Sequence, residues 1–227
     1  MKKVLVAVTN HDHFDKIQRA TGLWLSEAVD FQAVMERNGV HVDYVSPDGG
    51  WVPIDAASLA PDSMNEACWR YYGDPAYCHH YLRDSLAADD VDPSQYEAIY
   101  FAGGHGVLWD FPTSTALASI AEAIWAAGGV VSSTCHGCAG LLGMRASDGA
   151  PFVAGKHLTG FSNEEEQACG LADAVPFSTQ DALQEQGAGY QAAKPFSVHV
   201  IRDGNLVTGQ NPQSAATVAK KVLNLIK

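Results

Sequence analysis

Short apolar blocks along the chain alternate with longer segments in which apolar residues recur at helical spacing. The blocks are β-branched and end in polar or glycine residues, which is typical of buried parallel strands. Alternating strands and helices predict an α/β fold with a mostly parallel sheet sandwiched by helices. The predicted strands cover residues 4–9, 40–46, 96–102 and 129–134, and the predicted helices cover residues 21–38, 114–127 and 214–226.

Residues 51–92 interrupt this alternation with a stretch that is rich in aromatic, Asp, Ala and Pro residues and has only a weak helical pattern. We interpret it as a small inserted cap of short helices. A chain of 227 residues is long enough for one large α/β domain, so the sequence predicts a single domain over residues 1–227. Near the end, residues 196–202 and 206–209 flank Asp203-Gly204, which predicts a β-hairpin.

The composition excludes several classes of partner. Acidic residues outnumber basic ones by 26 to 14 and no basic run occurs, so we expect neither nucleic acid nor an anionic membrane surface as a partner. The apolar run at the N-terminus is too short for a signal peptide, and no stretch is long enough for a membrane helix. The sequence therefore predicts a cytoplasmic protein whose five cysteines are free thiols.

The strongest candidate for chemistry is Cys135, which follows an apolar strand in GGVVSSTCHGCAGLL and precedes a predicted helix that begins at residue 138. A thiol at this turn lies at the carboxyl end of the sheet, where open α/β proteins build their sites. The helix dipole and free N–H groups there favour the thiolate, so we expect a lowered thiol pKa and a nucleophilic Cys135. The alternative is a small buried apolar cysteine.

A second candidate is GGHG at residues 103–106, at the end of the third predicted strand. Glycines there let the backbone turn sharply and approach a ligand. The N–H groups of Gly104 and His136 are together a candidate oxyanion hole. An ordinary turn between a strand and a helix is the alternative.

Glu27 borders the apolar stripe of the first helix, between Trp24 and Phe31. A carboxylate at such a position is partly desolvated, which favours its neutral form. A protonated Glu27 that faces Cys135 can donate to the thiolate and move protons. From spacing alone, a Glu that turns outward to water is the favoured alternative.

Several motifs in the same order resemble the ThiJ/PfpI superfamily: TGxWxxE in the first helix, GGHG, and CHG after the fourth strand. VSPDGGWVPID, GGHGVLWDFP, AGKHLTGFSNEEE and DGNLVTGQNPQS extend the resemblance to its branch of heat-shock-type, glutathione-independent glyoxalases (glyoxalase III). This resemblance spans essentially the whole chain and implies a flavodoxin-like fold. It also implies that Cys135 is the nucleophile, His136 its neighbour and Glu27 the acid–base carboxylate, with the Gly104 and His136 amides holding the oxyanion.

The same resemblance implies roles that spacing alone does not indicate. Glu166, in GFSNEEE, matches the acid that orients the histidine, although the residues alone favour a solvated helix face. His105 and Trp109 are expected to line the pocket. The family further implies a small aldehyde substrate, no cofactor and a homodimer.

One departure from the family pattern is Cys138, which stands where relatives often have Pro or a small residue. It makes a C-x-x-C at a predicted helix start, so Cys138 can trap an oxidised Cys135 as a disulfide. A small packed residue is the alternative. The run Cys78-His79-His80 suggests a metal, but adjacent side chains diverge. We predict no metal site, and the glycine-rich turns match no nucleotide-binding motif.

Taken together, the sequence predicts conversion of a small 2-oxoaldehyde such as methylglyoxal to a 2-hydroxy acid, without glutathione, through the Cys135 thiol. Other reactions use the same thiol: repair of glycated amines, amide or peptide hydrolysis, and isonitrile hydration. Two further alternatives are a stress chaperone that exposes apolar surface on the cap and a redox sensor based on Cys135 and Cys138. The substrate is the part of this prediction that the motifs define least.

Overall fold

Side chains of the first strand, β1 (Lys3–Ala7), divide alternately between the two faces of the sheet. Val4 and Val6 belong to one buried apolar cluster and Leu5 and Ala7 to another, because successive side chains of a strand point to opposite faces. β1 therefore lies between two hydrophobic cores, as expected of a parallel strand that helices cover on both sides.

The computed structural model describes residues 2–226. Within them, the strands after β1 are β2 (His41–Ser46), β3 (Asp48–Gly50), β4 (Ser85–Ala87), β5 (Ala98–Phe101), β6 (Val130–Thr134), β7 (His157–Leu158), β8 (Gly189–Tyr190), β9 (Val200–Asp203) and β10 (Leu206–Gly209). Eight strands form one sheet in the order β3-β4-β2-β1-β5-β6-β10-β9, and β7 pairs with β8. Neighbouring strands from β4 to β10 in this order are parallel, and the outer strands β3 and β9 are antiparallel to their neighbours.

Helices cover both faces of this sheet. They are α1 (Leu25–Arg37), α2 (Glu66–Tyr72), α3 (Pro75–Tyr77), α4 (Val107–Asp110), α5 (Thr115–Ala126), α6 (Asn163–Ala168), α7 (Thr179–Glu185) and α8 (Ala215–Ile226). α1 and α8 pack against each other and against the cluster that contains Val4, whereas α4 and α5 cover the cluster that contains Leu5. The predicted mostly parallel α/β architecture is therefore confirmed.

The first helix begins four residues later than its apolar spacing predicts. Leu23 stays extended because its N–H donates to the Pro53 carbonyl at 2.8 Å and its own carbonyl accepts from Asp55 N–H at 3.0 Å. These bonds hold Leu23 beside Ile54 in a parallel bridge. The chain after β1 is therefore tied to the segment after β3 before α1 starts.

Residues 51–92, predicted to form only a cap of short helices, also contribute a strand to the sheet. The segment supplies β4, which pairs in parallel with β2, so the sheet extends beyond the strands found from the sequence. Its helix α2 packs against α1, and Cys68 of α2 is buried in the core between them. The segment therefore extends one end of the sheet and forms part of the core.

The C-terminal hairpin forms between β9 and β10, but β9 is shorter than predicted. Phe196 has a left-handed φ of 56°, and the Ser197 N–H closes a turn onto the Lys194 carbonyl. Residues 196–199 consequently remain outside the strand. Among residues 2–226, no helix combines the length and apolar character that crossing a membrane requires.

The sheet order places the ends of β5 and β6 side by side. The chain passes from the β2 side of β1 to β5 on its other side, so the direction of winding reverses between β1 and β5. Ligands of open α/β sheets bind outside the carboxyl ends of the strands at such a reversal. The residues that follow β5 and β6 are therefore the first place to look for a functional site.

Candidate active site

Cys135 occupies a strained turn directly after β6. Its φ is 56°, a left-handed value that costs a residue with a side chain about 1–3 kcal/mol. Strain of this kind concentrates at functional sites because the surrounding structure has to hold it in place. The residues that follow form a 3₁₀ helix, Cys135–Leu141, instead of the α-helix predicted from residue 138.

Two glycines allow close approaches of the backbone, Gly137 between the turns after β6 and β5 and Gly104 between the turn after β5 and the segment before α1. A Cβ on Gly137 would lie 2.1 Å from the Phe101 carbonyl oxygen of β5, so any side chain there would force the two turns apart. Gly104 has a φ of 104°, and a Cβ there would lie 2.2 Å from the Gly22 carbonyl oxygen. The Gly104 N–H finds no acceptor within residues 2–226, which leaves it available to a ligand.

The His136 imidazole lies between the Cys135 thiol and the Glu166 carboxylate. Its Nδ1 is 3.4 Å from the Cys135 sulfur, and its Nε2 is 2.6 Å from Oε2 of Glu166. A carboxylate only accepts hydrogen bonds, so the Nε2 carries the proton and the Nδ1 lone pair faces the thiol. Burial and the neighbouring His105 lower the pKa of His136, which keeps the imidazole neutral. His136 is therefore oriented as a base toward Cys135.

Glu166 also binds a second imidazole. Its Oε1 lies 2.8 Å from Nε2 of His105, and the two histidine rings are 4.2 Å apart. Burial raises the pKa of Glu166, but the two imidazoles more than offset this effect and lower it below the usual range. Glu166 is thus a carboxylate that holds His136 and His105 in fixed orientations, a link that sequence spacing does not reveal.

Glu165, next to Glu166, fixes the position of α6 and was not identified from the sequence. Its Oε2 accepts from the Ser162 N–H in a capping box that starts the helix. Its Oε1 accepts from the Phe196 N–H at 2.8 Å and from the Asn211 side chain at 2.9 Å. Glu165 therefore joins α6, which carries Glu166, to two further segments of the chain. The signal was an S-x-x-E pattern at residues 162–165, which is typical of a capping box.

Glu27 points inward from the first turn of α1 and is completely buried. Its Oε2 accepts from the Gly103 N–H at 2.8 Å, while its Oε1 has no hydrogen-bond partner within residues 2–226. The Cys135 thiol is the side chain next to this carboxyl. Burial raises the pKa of Glu27 to about 8, with the Gly103 and Cys135 contacts opposing it. Glu27 therefore carries a proton at neutral pH, and the outward-facing alternative is excluded.

The expected lowering of the Cys135 pKa is wrong for the protein without substrate. Burial first and the Glu27 carboxyl second raise the pKa of the thiol well above its ordinary value, and the His136 N–H opposes this only in part. The thiol is 3% exposed, so water does not stabilise a thiolate there. The thiol can therefore lose its proton only to a buried neighbouring group that accepts it.

Cys135 opens onto a small cavity of about 130 Å³. Its volume corresponds to about four water molecules. Gly104, His105 and His136 line the cavity together with residues that the sequence did not indicate. These additional residues are Trp24, Phe161, Cys169, Phe196, Pro212 and Gln213.

Neither Trp109 nor residues 51–92 contribute to this lining. The Trp109 indole N–H donates to Oδ2 of Asp15 at 2.7 Å, and its ring stacks on His11, so it packs against the loop after β1. Segments around Phe161, Phe196 and Pro212 cover the thiol instead of the predicted cap. The sequence missed them because they are distant in the chain and have no periodic pattern.

The Cys138 thiol is buried and bonded away from solvent. Its sulfur lies 2.9 Å from the Ser133 hydroxyl and 3.1 Å from the Thr159 carbonyl oxygen. Burial raises the pKa of Cys138 to about 12, which leaves it a thiol. These contacts favour the interpretation of Cys138 as a packed residue.

Two groups of side chains within residues 2–226 have the composition of metal ligands. One is His105, His136 and Glu166, whose facing nitrogen and oxygen atoms already bond each other. The other is His11, His13 and Asp15, in the loop after β1.

Comparison with known proteins finds relatives over the full length of the chain. The DJ-1/PfpI family model matches residues 19–225. The glutathione-independent glyoxalase HSP31 of Saccharomyces cerevisiae is 33% identical over 236 residues, which covers 100% of this chain and 98% of the yeast protein.

Two crystal structures share the fold over the full length. Rapid Encystment Protein 24 kDa of Francisella tularensis is 37% identical with a TM-score of 0.95, covering 100% of both chains. Glyoxalase III of Candida albicans is 28% identical with a TM-score of 0.92, covering 100% of this chain and 98% of that one. The predicted resemblance and the flavodoxin-like fold are confirmed, and this chain belongs to the DJ-1/PfpI family.

Proposed function

We propose that this protein is a glutathione-independent glyoxalase that converts methylglyoxal-type 2-oxoaldehydes to 2-hydroxy acids. The observation that carries the proposal is the Cys135 thiol, which lies on a strained turn 3.4 Å from His136 Nδ1 and beside the protonated Glu27. A neutral base and a neutral acid thus flank one sulfur. The glyoxalase names of the full-length relatives from Saccharomyces cerevisiae and Candida albicans support the same activity.

The size and lining of the cavity favour a small aldehyde. A volume of about 130 Å³ accommodates a three-carbon oxoaldehyde and is small for a peptide. Phe161 and Phe196 make much of the wall apolar, which suits the methyl group of methylglyoxal.

In the first step, His136 Nδ1 accepts the thiol proton and the sulfur adds to the aldehyde carbon. The carbon–sulfur bond forms as the carbonyl electron pair moves to oxygen, and this oxygen takes the proton of Glu27 to give a hemithioacetal. The Gly104 N–H, which has no other acceptor within residues 2–226, stabilises the developing oxyanion. The backbone N–H of His136, which faces the Cys135 sulfur, helps to stabilise the same oxyanion.

In the second step, the Glu27 carboxylate removes the proton from the former aldehyde carbon. Protonated His136 donates to the neighbouring carbonyl oxygen, so an enediol forms and both residues return to their neutral states. Glu27 then protonates the second carbon while His136 takes the hydroxyl proton of the first. The product of this step is a thioester. Its former aldehyde carbon has been oxidised and its former ketone carbon reduced, so the substrate supplies both the oxidant and the reductant.

In the last step, water adds to the thioester while the Glu27 carboxylate takes one of its protons, and the carbon–sulfur bond breaks. Protonated His136 returns a proton to the departing sulfur, so all three residues regain their starting states, and the 2-hydroxy acid loses its remaining proton to solvent as it leaves. The overall change is addition of one water to the oxoaldehyde. In this reaction scheme, Cys135, His136 and Glu27 are the catalytic residues of a cofactor-independent lyase, and Glu166 is a positioning residue.

Two further properties remain predictions from the sequence. The family resemblance implies a homodimer, and a cytoplasmic location stays a prediction. Light scattering after size-exclusion chromatography measures the first directly.

The experiment is an assay of lactate formation from methylglyoxal with purified protein and no glutathione. Cys135→Ser is expected to reduce kcat/KM by at least about 10³-fold, because a hydroxyl is a much weaker nucleophile. Cys78→Ser is the matched control, since its thiol donates to the Tyr72 carbonyl and does not line the cavity. Wild-type turnover by Cys135→Ser, or no lactate from the wild type, would overturn the proposal.

The same preparations separate the other functions. Glycated amines, amides and isonitriles are tested at equal concentration, and faster Cys135-dependent turnover of any of these would make that chemistry the principal activity. Suppression of client aggregation that survives Cys135→Ser, without lactate formation, would identify a chaperone instead.

A further inference from the structure

The loop after β1 brings three metal-ligating side chains together. His11, His13 and Asp15 alternate along the chain, and one ligand atom from each lies within 4.8 Å of the other two. Nε2 of His13 is 3.5 Å from Oδ1 of Asp15. Two ligands of a tetrahedral ion are about 3.4 Å apart when each bond is about 2.1 Å. This pair therefore already has the separation that one bound ion requires.

Each of the three side chains has its other polar atom held by a second group. Nδ1 of His13 bonds Oδ1 of Asp12 at 2.8 Å, and Nε2 of His11 bonds the His13 carbonyl oxygen at 2.6 Å. Oδ2 of Asp15 accepts from the Trp109 indole N–H at 2.7 Å. Partners of this kind select the tautomer and orient the ligands around metal ions in proteins. The atoms that these bonds leave free are Nδ1 of His11, Nε2 of His13 and Oδ1 of Asp15, and the last two are the pair 3.5 Å apart.

The loop backbone holds these positions without an ion. His13 and Ala20 form an antiparallel bridge, Phe14 N–H donates to the Arg19 carbonyl at 3.0 Å, and Thr21 N–H donates to the Asp12 carbonyl at 2.9 Å. Phe14 is buried and anchors the loop. Binding consequently requires little ordering of the chain, which favours affinity.

The surroundings suit a divalent cation. Asp12 and Asp15 add negative charge beside the two imidazoles, and the whole chain carries a net charge of −12. Two imidazole nitrogens and one carboxylate oxygen form a ligand set that suits Zn²⁺ and its first-row neighbours better than Mg²⁺ or Ca²⁺. The side chains of His13 and Asp15 are about 60% exposed, so water can complete the coordination.

We infer that His11, His13 and Asp15 form a binding site for a divalent transition-metal ion of the Zn²⁺ class. The site lies outside the Cys135 cavity, but the loop that carries it packs against a residue that lines the cavity. Phe14, within the loop, packs 5.4 Å from the rings of both Trp109 and His105, and His105 bonds Glu166. Metal binding would therefore stabilise the loop that packs behind His105. The inference does not depend on the proposed glyoxalase activity.

The test is calorimetric titration of untagged, chelator-treated protein with Zn²⁺, followed by the absorption spectrum with Co²⁺. We expect one bound Zn²⁺ and visible Co²⁺ bands of a four-coordinate site without the charge-transfer band of a thiolate ligand. His13→Ala and Asp15→Asn are expected to weaken Zn²⁺ binding by at least about tenfold. Asn at residue 15 can still accept from Trp109, so this variant removes mainly the ligand charge.

His79→Ala is the matched control, because His79 is also an exposed histidine beside an aspartate, Asp84, outside the loop. Residues 13 and 15 are exposed, so neither substitution should unfold the protein. Circular dichroism and thermal unfolding of each variant check that a loss of binding does not come from misfolding. Absence of Zn²⁺ binding by the wild type would overturn the inference, as would unchanged binding by both His13→Ala and Asp15→Asn. Loss of binding in Cys135→Ala would place the ion in the catalytic cluster and equally overturn it. Lactate formation is not a readout, so failure of the glyoxalase proposal is detected separately.

Discussion

Nε2 of His136 lies 2.6 Å from Oε2 of Glu166, and both groups are almost completely buried. This contact determines which nitrogen of the imidazole faces the thiol. Because the carboxylate accepts the Nε2 proton, the lone pair remains on Nδ1, 3.4 Å from the Cys135 sulfur. The chemistry assigned to His136 therefore depends on a residue that never touches the substrate.

Replacing Glu166 by Gln tests this dependence. Gln offers one acceptor and one donor where the carboxylate accepts twice, so it cannot hold both imidazoles in their present tautomers. We expect kcat to fall by about 10²-fold or more, with a smaller change in KM, because the cavity wall is unchanged. Glu164→Gln, the same substitution on an exposed residue of the same helix, is expected to behave like the wild type. Equal turnover by the two variants would show that Glu166 does not orient His136.

Replacing His105 by Asn tests the second bond to Glu166. His105 is one of the causes, after burial, of the low pKa of His136, so its removal is expected to raise the His136 pKa. The acid limb of the pH profile of kcat should then move to higher pH, because more alkaline solution is needed to obtain neutral His136. We expect kcat at neutral pH to fall by about tenfold. His157→Asn, at an exposed site, controls for the loss of an imidazole. If the acid limb of the His105→Asn variant does not move, His105 has only a structural role.

The sequence was sufficient to identify the residues around the sulfur. The apolar strand before Cys135, the glycines at 103–106 and the first helix with Glu27 are local patterns, and the structure brings them to one edge of the sheet. Spacing alone favoured an outward Glu27, and only the family resemblance indicated the inward orientation. The structure gives the physical reason, since Gly103 donates to the carboxyl across the β5 turn.

The cavity wall could not be predicted in the same way. Phe161, Phe196 and Pro212 come from three separated segments, and Glu165 joins two of these regions through its bonds to Phe196 and Asn211. A left-handed φ at Phe196 has no sequence signal, because it follows from tertiary contacts. The predicted cap, residues 51–92, does not form this wall, because the segment packs against α1 and β2.

Replacing Glu27 by Gln tests the buried proton through stability. The pKa of Glu27 is about 8 in the folded protein and 4.5 in the reference state. Below the lower value both states are protonated, and between the two values only the unfolded chain ionises, so stability falls as the pH rises toward about 8. The total loss is on the order of 5 kcal/mol, from about 1.4 kcal/mol for each pKa unit. Gln cannot ionise, so this part of the pH dependence should disappear.

The measurement is urea unfolding of Glu27→Gln and wild type at several values between about pH 4.5 and 8.5. The difference in unfolding free energy between them should grow with pH in favour of the variant. Glu164→Gln supplies the baseline for an exposed glutamate. A constant difference across the range would mean that Glu27 is ionised at neutral pH.

Cys138 provides a test of the redox alternative. Its sulfur bonds the Ser133 hydroxyl and the Thr159 carbonyl, and its pKa of about 12 leaves little thiolate to attack an oxidised Cys135. We expect Cys138→Ala to retain kcat within about threefold, because Ala keeps the small apolar volume. Peptide mapping under non-reducing conditions after mild peroxide should find no Cys135–Cys138 disulfide. Detection of that linkage in the native protein would restore the sensor hypothesis.

Gly137→Ala tests whether close approach of the turns after β5 and β6 supports the strained Cys135. The added Cβ would lie 2.1 Å from the Phe101 carbonyl oxygen, which belongs to a central strand and has little room to move. We expect the free energy of unfolding to fall by more than about 2 kcal/mol, and kcat to fall as well because Cys135 and His136 shift with the turn.

Gly128→Ala separates this steric effect from the general effect of replacing a glycine. Gly128 has a φ of 83° and a Cβ there meets nothing within 4 Å, so its cost is the left-handed backbone alone, about 1 kcal/mol. Unfolding in urea and the lactate assay are measured on both variants. If Gly137→Ala is as stable and active as Gly128→Ala, the turns can separate without consequence, and the strain at Cys135 must be held by other contacts, such as the bond from the Phe161 N–H to the Cys135 carbonyl.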